Sequence, residues 1–346
     1  MKAAVYIGKG RIEIQDIPVP EIGDDEVLVR VRLVGLCKTD VKKVIDDMYT
    51  PPRVYGHEIV GEIHKTGPKV NGFFAGDRVL VFHHVPCLDC PYCKSRHYAQ
   101  CETYREIDTT AGFGYPSGGG FSEYIRVPRL VAERGLIKIP DGVADEDAVF
   151  VEPLNCCLKA VRKAEIRKGD TVLIIGQGSI GLSLTQLCKL CGAKVITTDL
   201  LDFKLQLSTK FGADLTLHTN DEKSIEKIIR FNATLPNKCL VAVESVQAIQ
   251  FGLSAVASGG RVMFVFDKIG DNRLCIDPNI ISNKEIEIMG SYSSDYSLHQ
   301  ESAQLIFEGK VNTKDMITHS FKLANLAKAV EMAIHAEESI KILIRV

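Results

Sequence analysis

The stretch CLDCPYCKSRHYAQC, Cys87 to Cys101, holds four of the chain's eleven cysteines at spacings of three, three and eight. Thiolates this close, in a loop rich in turn formers (Pro86, Asp89, Pro91), can converge on one tetrahedral ion without help from distant sequence. Cys87, Cys90, Cys93 and Cys101 therefore suit a single structural zinc. A filled four-sulfur shell holds a lobe together, here residues 85–103, and leaves no position for a substrate. A redox pair made from one C-x-x-C, or a set of packing cysteines, leaves the fourth thiol unexplained. The odd cysteine total also argues against a disulfide framework.

A second constellation is VLIIGQGSIGL, where Gly176, Gly178 and Gly181 form G-x-G-x-x-G with Ser179 and Ile180 between them. The motif follows an apolar run and opens an amphipathic one, the context in which it binds a dinucleotide. The first glycine permits a tight turn and the second lets the backbone approach a pyrophosphate. The third lets helix and strand pack closely, and the helix N-terminus attracts the negative charge. The next strand-like run, KVITTD, ends in Asp199, 18 residues after Gly181. A carboxylate there accepts hydrogen bonds from the adenosine ribose hydroxyls and repels a 2'-phosphate. Lys204 follows nearby without an arginine, so NAD is expected over NADP; the plainer alternative makes Asp199 a solvated strand end.

These groups need elements to hold them. Residues 1 to about 150 read as short strands broken by Gly and Pro (EVLVRVRLVGLC, HEIVGEIHKTG, GDRVLVFHH, FSEYIRVP), the pattern of an all-β barrel. From residue 153 strands alternate with amphipathic helices, which argues for a parallel sheet with helices on both faces. The tail after residue 290 is mixed and ends in the strand IKILIRV. Net charge is -2 with Lys and Arg evenly spread, which removes the attraction that nucleic acid or anionic lipid binding relies on. No apolar stretch reaches the roughly 20 residues needed to span a bilayer. The start lacks the long apolar run and cleavage site of a secretory signal, so a cytoplasmic protein with a small-molecule partner is expected.

Three further stretches carry potential ligands: GLCKTD (Cys37, Thr39, Asp40), YGHEIVGE (His57, Glu58) and FVEPLNCC (Glu152, Cys156, Cys157). Singly each is ambiguous, since a lone Cys is more often packing and a lone His or Glu more often structural. Taken in order with GHE, the four-cysteine lobe, GDRV, GGGFSEY, VEPL and GQGSIG, they resemble the zinc-dependent medium-chain alcohol dehydrogenase family. The resemblance runs over essentially the full length and is closest to the sorbitol/polyol dehydrogenase branch, with threonine dehydrogenases as near relatives. It implies an α/β plus β fold: a GroES-like β-barrel catalytic domain from residues 1–152 and 290–346, an inserted Rossmann domain at 153–289, and an active site in the cleft between them.

The same resemblance implies residue roles. Cys37 and His57 look like ligands of a second, catalytic zinc, with Glu58 and Glu152 competing for the next position. Relatives with a cysteine as third ligand carry it near 152, whereas this chain has Glu, as in the polyol branch; Cys156 and Cys157 lie too late and are read as helix packing. Thr39 matches a hydroxyl relay, Asp40 the carboxylate that orients His57, and Lys38 a group that meets the cofactor pyrophosphate. Lys42 stands where many relatives have the His that ends the relay. His84 stands where threonine-oxidising relatives also carry a His. Two zinc ions and NAD are thus the expected cofactors, and oxidation of a polyol, cyclitol or sugar alcohol is the expected activity. L-Threonine or another amino alcohol or diol is the rival substrate, and a non-catalytic NAD-binding protein is a remote alternative. A zinc-free quinone reductase would lack both metal sites. The family implies a homodimer or homotetramer, with GGRVMFVF and the segment after it offering an edge strand for pairing.

Overall fold

The computed structural model describes residues 1–106, 118–267, 273–335 and 337–346. The chain forms two compact units, Met1–Glu152 with Asp295–Val346, and Pro153–Ser294.

The first unit contains β1 (Lys2–Gly8), β2 (Arg11–Asp16), β3 (Val27–Leu36), β4 (Arg53–Val54), β5 (Glu58–Thr66), β6 (Arg78–Phe82), β7 (Tyr124–Val127) and β8 (Leu136–Lys138). The second contains β9 (Thr171–Ile175), β10 (Lys194–Asp199), β11 (Leu215–His218), β12 (Lys238–Val241), β13 (Arg261–Phe264) and β14 (Glu287–Gly290). The chain then returns to the first unit with β15 (Ile317–Lys322) and β16 (Lys341–Arg345).

In the first unit β2, β1 and β4 form a small sheet, and a larger one runs β15-β16-β3-β5-β6-β8 with β7 paired to β3. Alternation explains the first half of β3: Arg30 and Arg32 point to solvent while Val27, Val29, Val31 and Leu33 are buried. Beyond Leu33 every residue of β3 is buried, because β16 and β5 flank it there. The apolar side chains of β1, β3, β5 and β6 share one core with the helix Leu326–Ile334. Burying each such side chain contributes about 1.5–3 kcal/mol, which fixes the strand ends that carry the polar groups.

The second unit is a parallel sheet in the order β11-β10-β9-β12-β13-β14, with every neighbouring pair parallel. β9 is buried at all five positions, as expected of a strand covered on both faces. Strand order reverses at β9, since β10 pairs with it on one side and β12 on the other. In open sheets of this kind ligands bind at that switch point, beyond the carboxyl ends of the strands. The segment GGRVMFVF forms β13, which lies inside the sheet; the free edge at that end belongs to β14. Among the described residues no helix is long and apolar enough to cross a membrane.

Candidate active site

In the first unit the polar groups collect where β3 ends, β5 begins, β6 ends and β16 begins. Gly35 of β3 pairs with Glu58 of β5 and Leu343 of β16, and Glu58 pairs with Phe82 of β6. Residues just beyond those pairs are thereby brought together: Cys37 after β3, His57 before β5, His83 after β6 and Lys341 at the start of β16.

Ligand atoms of Cys37, His57 and Glu58 all lie within 4.8 Å of one another. His57 Nδ1 is 3.0 Å from Asp40 Oδ1, the contact by which a carboxylate orients a histidine whose other nitrogen is to bind a metal. Asp40 reaches it from the helix Lys38–Ile45, which starts directly after Cys37. Burial raises the Asp40 pKa, but the charge of His57, its hydrogen bond, Lys43 and the Gly56 N–H hold it below the ordinary carboxylate range. The Thr39 hydroxyl donates to Cys37 Sγ at 3.2 Å. A thiolate, an imidazole and a carboxylate on one point leave a fourth tetrahedral position open, the composition of a catalytic zinc.

Glu58 is also the partner of Lys341, whose Nζ donates to Oε1 at 2.6 Å although 283 positions separate the two. Both are buried. Burial opposes the Lys341 charge, but Glu58, Cys37 and Glu152 outweigh it and hold its pKa above the usual lysine value. Gly35 gives this pair its room: a Cβ there would run into Glu58 Oε2 and stand 3.1 Å from Lys341 Cε. Glu152 stands outside the Cys37–His57–Glu58 group among the described residues, with Oε1 3.8 Å from His83 Nδ1. Burial, with the neighbouring Glu58 and Asp40 charges, raises its pKa to about 7 against the pull of His57 and Lys341. Burial and the charges of His84, His57, Lys43 and His299 push His83 well below the usual histidine range.

The four sulfurs of the lobe also converge. Cys87 Sγ is 3.9 Å from that of Cys93 and 3.6 Å from that of Cys101, and Cys90 Sγ is 3.5 Å from that of Cys93. Sulfurs about 2.3 Å from a tetrahedral zinc stand roughly 3.8 Å apart, so the group fits that ion. The Asp89 and Cys90 N–H groups donate to Cys87 Sγ and lower its pKa to about 6, the direction ligation needs. Tyr98 and Tyr104 pack with the cysteines, and His84 stacks on Tyr104 at 4.7 Å while its ring centre is 4.0 Å from that of His83.

In the second unit Gly176 has φ +91°, the left-handed turn that carries the chain from β9 toward the helix Ser179–Leu190. A Cβ on Gly181 would run into Gly176 O, whereas one on Gly178 would meet no protein atom, so open room is left beside the helix N-terminus. No side chain caps that helix at Gly178, and its first N–H groups suit a pyrophosphate. Asp199 ends β10 and accepts from Gln177 N–H at 2.6 Å and Leu201 N–H at 3.0 Å. Two backbone donors hold its carboxylate beside the glycine turn. Lys204 is buried on the next helix, its ammonium 5.7 Å over the Phe203 ring. Lys38 is exposed and Lys42 half-buried, both on the helix after Cys37, and Cys157 donates to Ile180 O at 3.6 Å.

Lys341, Gly35 and His83 were not singled out from the sequence. An isolated glycine late in an apolar strand, as in LVGLC, signals close approach by another group and could have pointed to Gly35. Lys341 carries no such signal, because only the pairing of β16 with β3 brings it to Glu58.

Residues 23–141 match the family described as alcohol dehydrogenase GroES-like domain, and residues 179–308 match the zinc-binding dehydrogenase family. A sorbitol dehydrogenase of Bacillus subtilis is 30% identical over 99% of this chain and 97% of its own length. An L-threonine 3-dehydrogenase of Aeromonas salmonicida is 28% identical over 92% of each chain. A solved zinc-binding dehydrogenase from Sinorhizobium meliloti, bound to NADP, superposes with a TM-score of 0.89 at 26% identity, covering 100% of this chain and 99% of that one. With a GroES-like domain, a Rossmann-type domain and residues able to hold zinc at two places, the chain belongs to the zinc-dependent medium-chain alcohol dehydrogenase family, near its polyol branch.

Proposed function

We propose that the chain oxidises a secondary alcohol of a polyol, cyclitol or sugar alcohol to the ketone, with NAD as hydride acceptor. The observation that carries this reading is the donor set: one thiolate (Cys37), one imidazole (His57) and one carboxylate (Glu58), with a second carboxylate (Glu152) close by and, among the described residues, no second thiolate in the group. Zinc in such a set polarises an alcohol oxygen and makes its proton easier to remove. Glu58 is the third protein ligand in this reading, and Glu152 remains beside His83. Asp40 fixes the tautomer and direction of His57. Thr39, half-buried next to Cys37, is placed to take the substrate's hydroxyl proton, and NAD, when bound, would supply the hydride acceptor. Lys38, exposed on the same helix, would meet the cofactor pyrophosphate, and Lys42 stands where many relatives carry the histidine that ends the relay.

In the second unit Gly176, Gly178, Ser179, Ile180 and Gly181 receive the pyrophosphate, and Asp199 the adenosine ribose. A 2'-phosphate would meet a carboxylate already aimed by two N–H donors, which favours NAD. Lys204 sits two residues into the following helix and is the nearest cation. The NADP-bound relative makes this choice worth measuring directly. His84 supports threonine as a second reading, since relatives with that activity are 28% identical. Its ring face lies against Tyr104, which counts against a substrate contact there. The free edge of β14 suits pairing into a homodimer or homotetramer. All eleven cysteines are unbridged, which suits the reducing cytoplasm.

Purified protein with its zinc counted is assayed for NADH or NADPH formation with sorbitol, xylitol, inositols, threonine, butanediol and ethanol. Turnover confined to polyols or cyclitols with NAD is expected. Preference for threonine moves the assignment to the second reading, and preference for NADP overturns the role given to Asp199.

A further inference from the structure

In the second unit Gln177, between the first two glycines of the motif, is fully buried. The peptide bond joining it to Gly176 is held from both sides. The N–H of that peptide donates to Asp199 Oδ2 at 2.6 Å, and its carbonyl, Gly176 O, accepts Nε2 of Gln177's own side chain at 3.1 Å. The other end of the side-chain amide, Oε1, lies 3.0 Å from the hydroxyl of Thr185, further along the helix Ser179–Leu190. The same hydroxyl is 3.0 Å from Gly181 O, but that carbonyl is also the helix partner of the Thr185 N–H, so the hydroxyl proton serves Gln177. One orientation of the amide suits both contacts, nitrogen toward the carbonyl and oxygen toward the hydroxyl. Gly176, at φ +91°, leaves its peptide plane with little steric restraint of its own. Turned over, that plane would present a carbonyl to the Asp199 carboxylate in place of an N–H. Thr185 and Asp199 are buried as well, so water does not replace a lost partner there.

We infer that Gln177, braced by Thr185, is a positioning residue for Asp199: its side chain fixes the peptide plane that aims the carboxylate at the adenosine ribose, and so sets the preference for NAD over NADP. The inference rests on the reading of Asp199 as the ribose acceptor. Neither side chain touches the cofactor in this role; the effect passes through the Gly176–Gln177 peptide and the carboxylate. Leu201 N–H holds the other oxygen of Asp199 at 3.0 Å, so losing the brace loosens the carboxylate without releasing it.

The test compares the zinc-loaded parent with Gln177→Leu, Thr185→Val and Thr185→Ser by fluorescence titration with NADH and with NADPH, circular dichroism serving as the check on folding. Thr185→Val removes only the hydroxyl and carries the test if Gln177→Leu fails to fold. Any loss at the pyrophosphate turn is common to both cofactors, whereas the ribose contact with Asp199 is made by NADH and denied to the 2'-phosphate of NADPH. Gln177→Leu and Thr185→Val should therefore weaken NADH about two- to tenfold more than NADPH, the affinity change that one hydrogen bond is worth. Thr185→Ser, which keeps the hydroxyl, should hold the parent's ratio, and Thr185→Val should add nothing to Gln177→Leu, because Thr185 acts through Gln177. Equal loss for the two cofactors, no loss for either, or a serine variant as impaired as the valine one overturns the inference while leaving Asp199 its role. A parent that binds NADPH more tightly than NADH contradicts instead the reading of Asp199, and the inference with it.

Discussion

Lys341→Met removes the ammonium that faces Glu58 and keeps most of the apolar stem. Lys341 is 3% exposed and Glu58 1%, so the carboxylate cannot turn to water when its partner goes. Breaking a buried pair from one side costs about 3–5 kcal/mol, because the remaining charge is uncompensated. That full cost is expected when the Cys37–His57–Glu58 site is empty. With zinc in place the dication faces the same carboxylate and replaces the ammonium, leaving only the packing change, about 1 kcal/mol. The difference of roughly 2–4 kcal/mol must reappear as tighter zinc binding in the variant, about thirtyfold to several hundredfold at 1.4 kcal/mol per factor of ten. Urea unfolding of parent and variant, with this site empty or filled and the four-cysteine zinc retained, measures the stability half. Chelator competition measures the affinity half. Equal destabilisation in both forms, with unchanged zinc affinity, would refute the reasoning and show that Glu58 does not face the ion.

Other consequences are equally specific. Gly181→Val places side-chain atoms against Gly176 O in the turn, so NADH affinity by fluorescence titration should fall at least about tenfold, with overpacking costing roughly 1–3 kcal/mol of stability. Cys93→Ser opens the four-sulfur shell and should cost one zinc per chain, with limited proteolysis cutting first between residues 87 and 104. His299 is buried against Phe82 at 3.5 Å between ring centres, and burial depresses its pKa from 6.5 to about 3. The unfolded chain therefore binds a proton that the folded chain refuses between those values. This residue's share of stability is complete above pH 6.5 and is lost as pH falls, by about 1.4 kcal/mol per unit down to about pH 3. His299→Phe should flatten that slope in denaturation measured from pH 7 to pH 4.

Local chemistry made part of this molecule legible in its sequence. The four-cysteine lobe needs only fifteen consecutive residues, and its sulfurs stand at the separations one zinc requires. The glycine motif lies between β9 and its following helix, each glycine with its own steric reason. Cys37, His57 and Asp40 were named through a resemblance, and the ends of β3 and β5 bring them together. What stayed hidden depends on pairings between distant segments. Lys341 meets Glu58 because β16 returns beside β3, and His83, just after β6, lies 3.8 Å from Glu152 on the helix Val151–Lys163, far along the chain. Neither periodicity nor spacing encodes such encounters. GGRVMFVF with the segment after it is expected to offer an edge strand; GGRVMFVF itself forms β13, and β14, further along, pairs beyond it.

The account stands most directly on Cys37. Zinc content and alcohol-dependent NADH formation are measured on the parent and on Cys37→Ser prepared side by side, with circular dichroism as the check on folding. Expected are two zincs and turnover in the parent, and one zinc, an intact fold and no turnover in the variant. A variant that keeps both zincs and oxidises the alcohol as fast as the parent would contradict the placement of the catalytic centre at Cys37, His57 and Glu58.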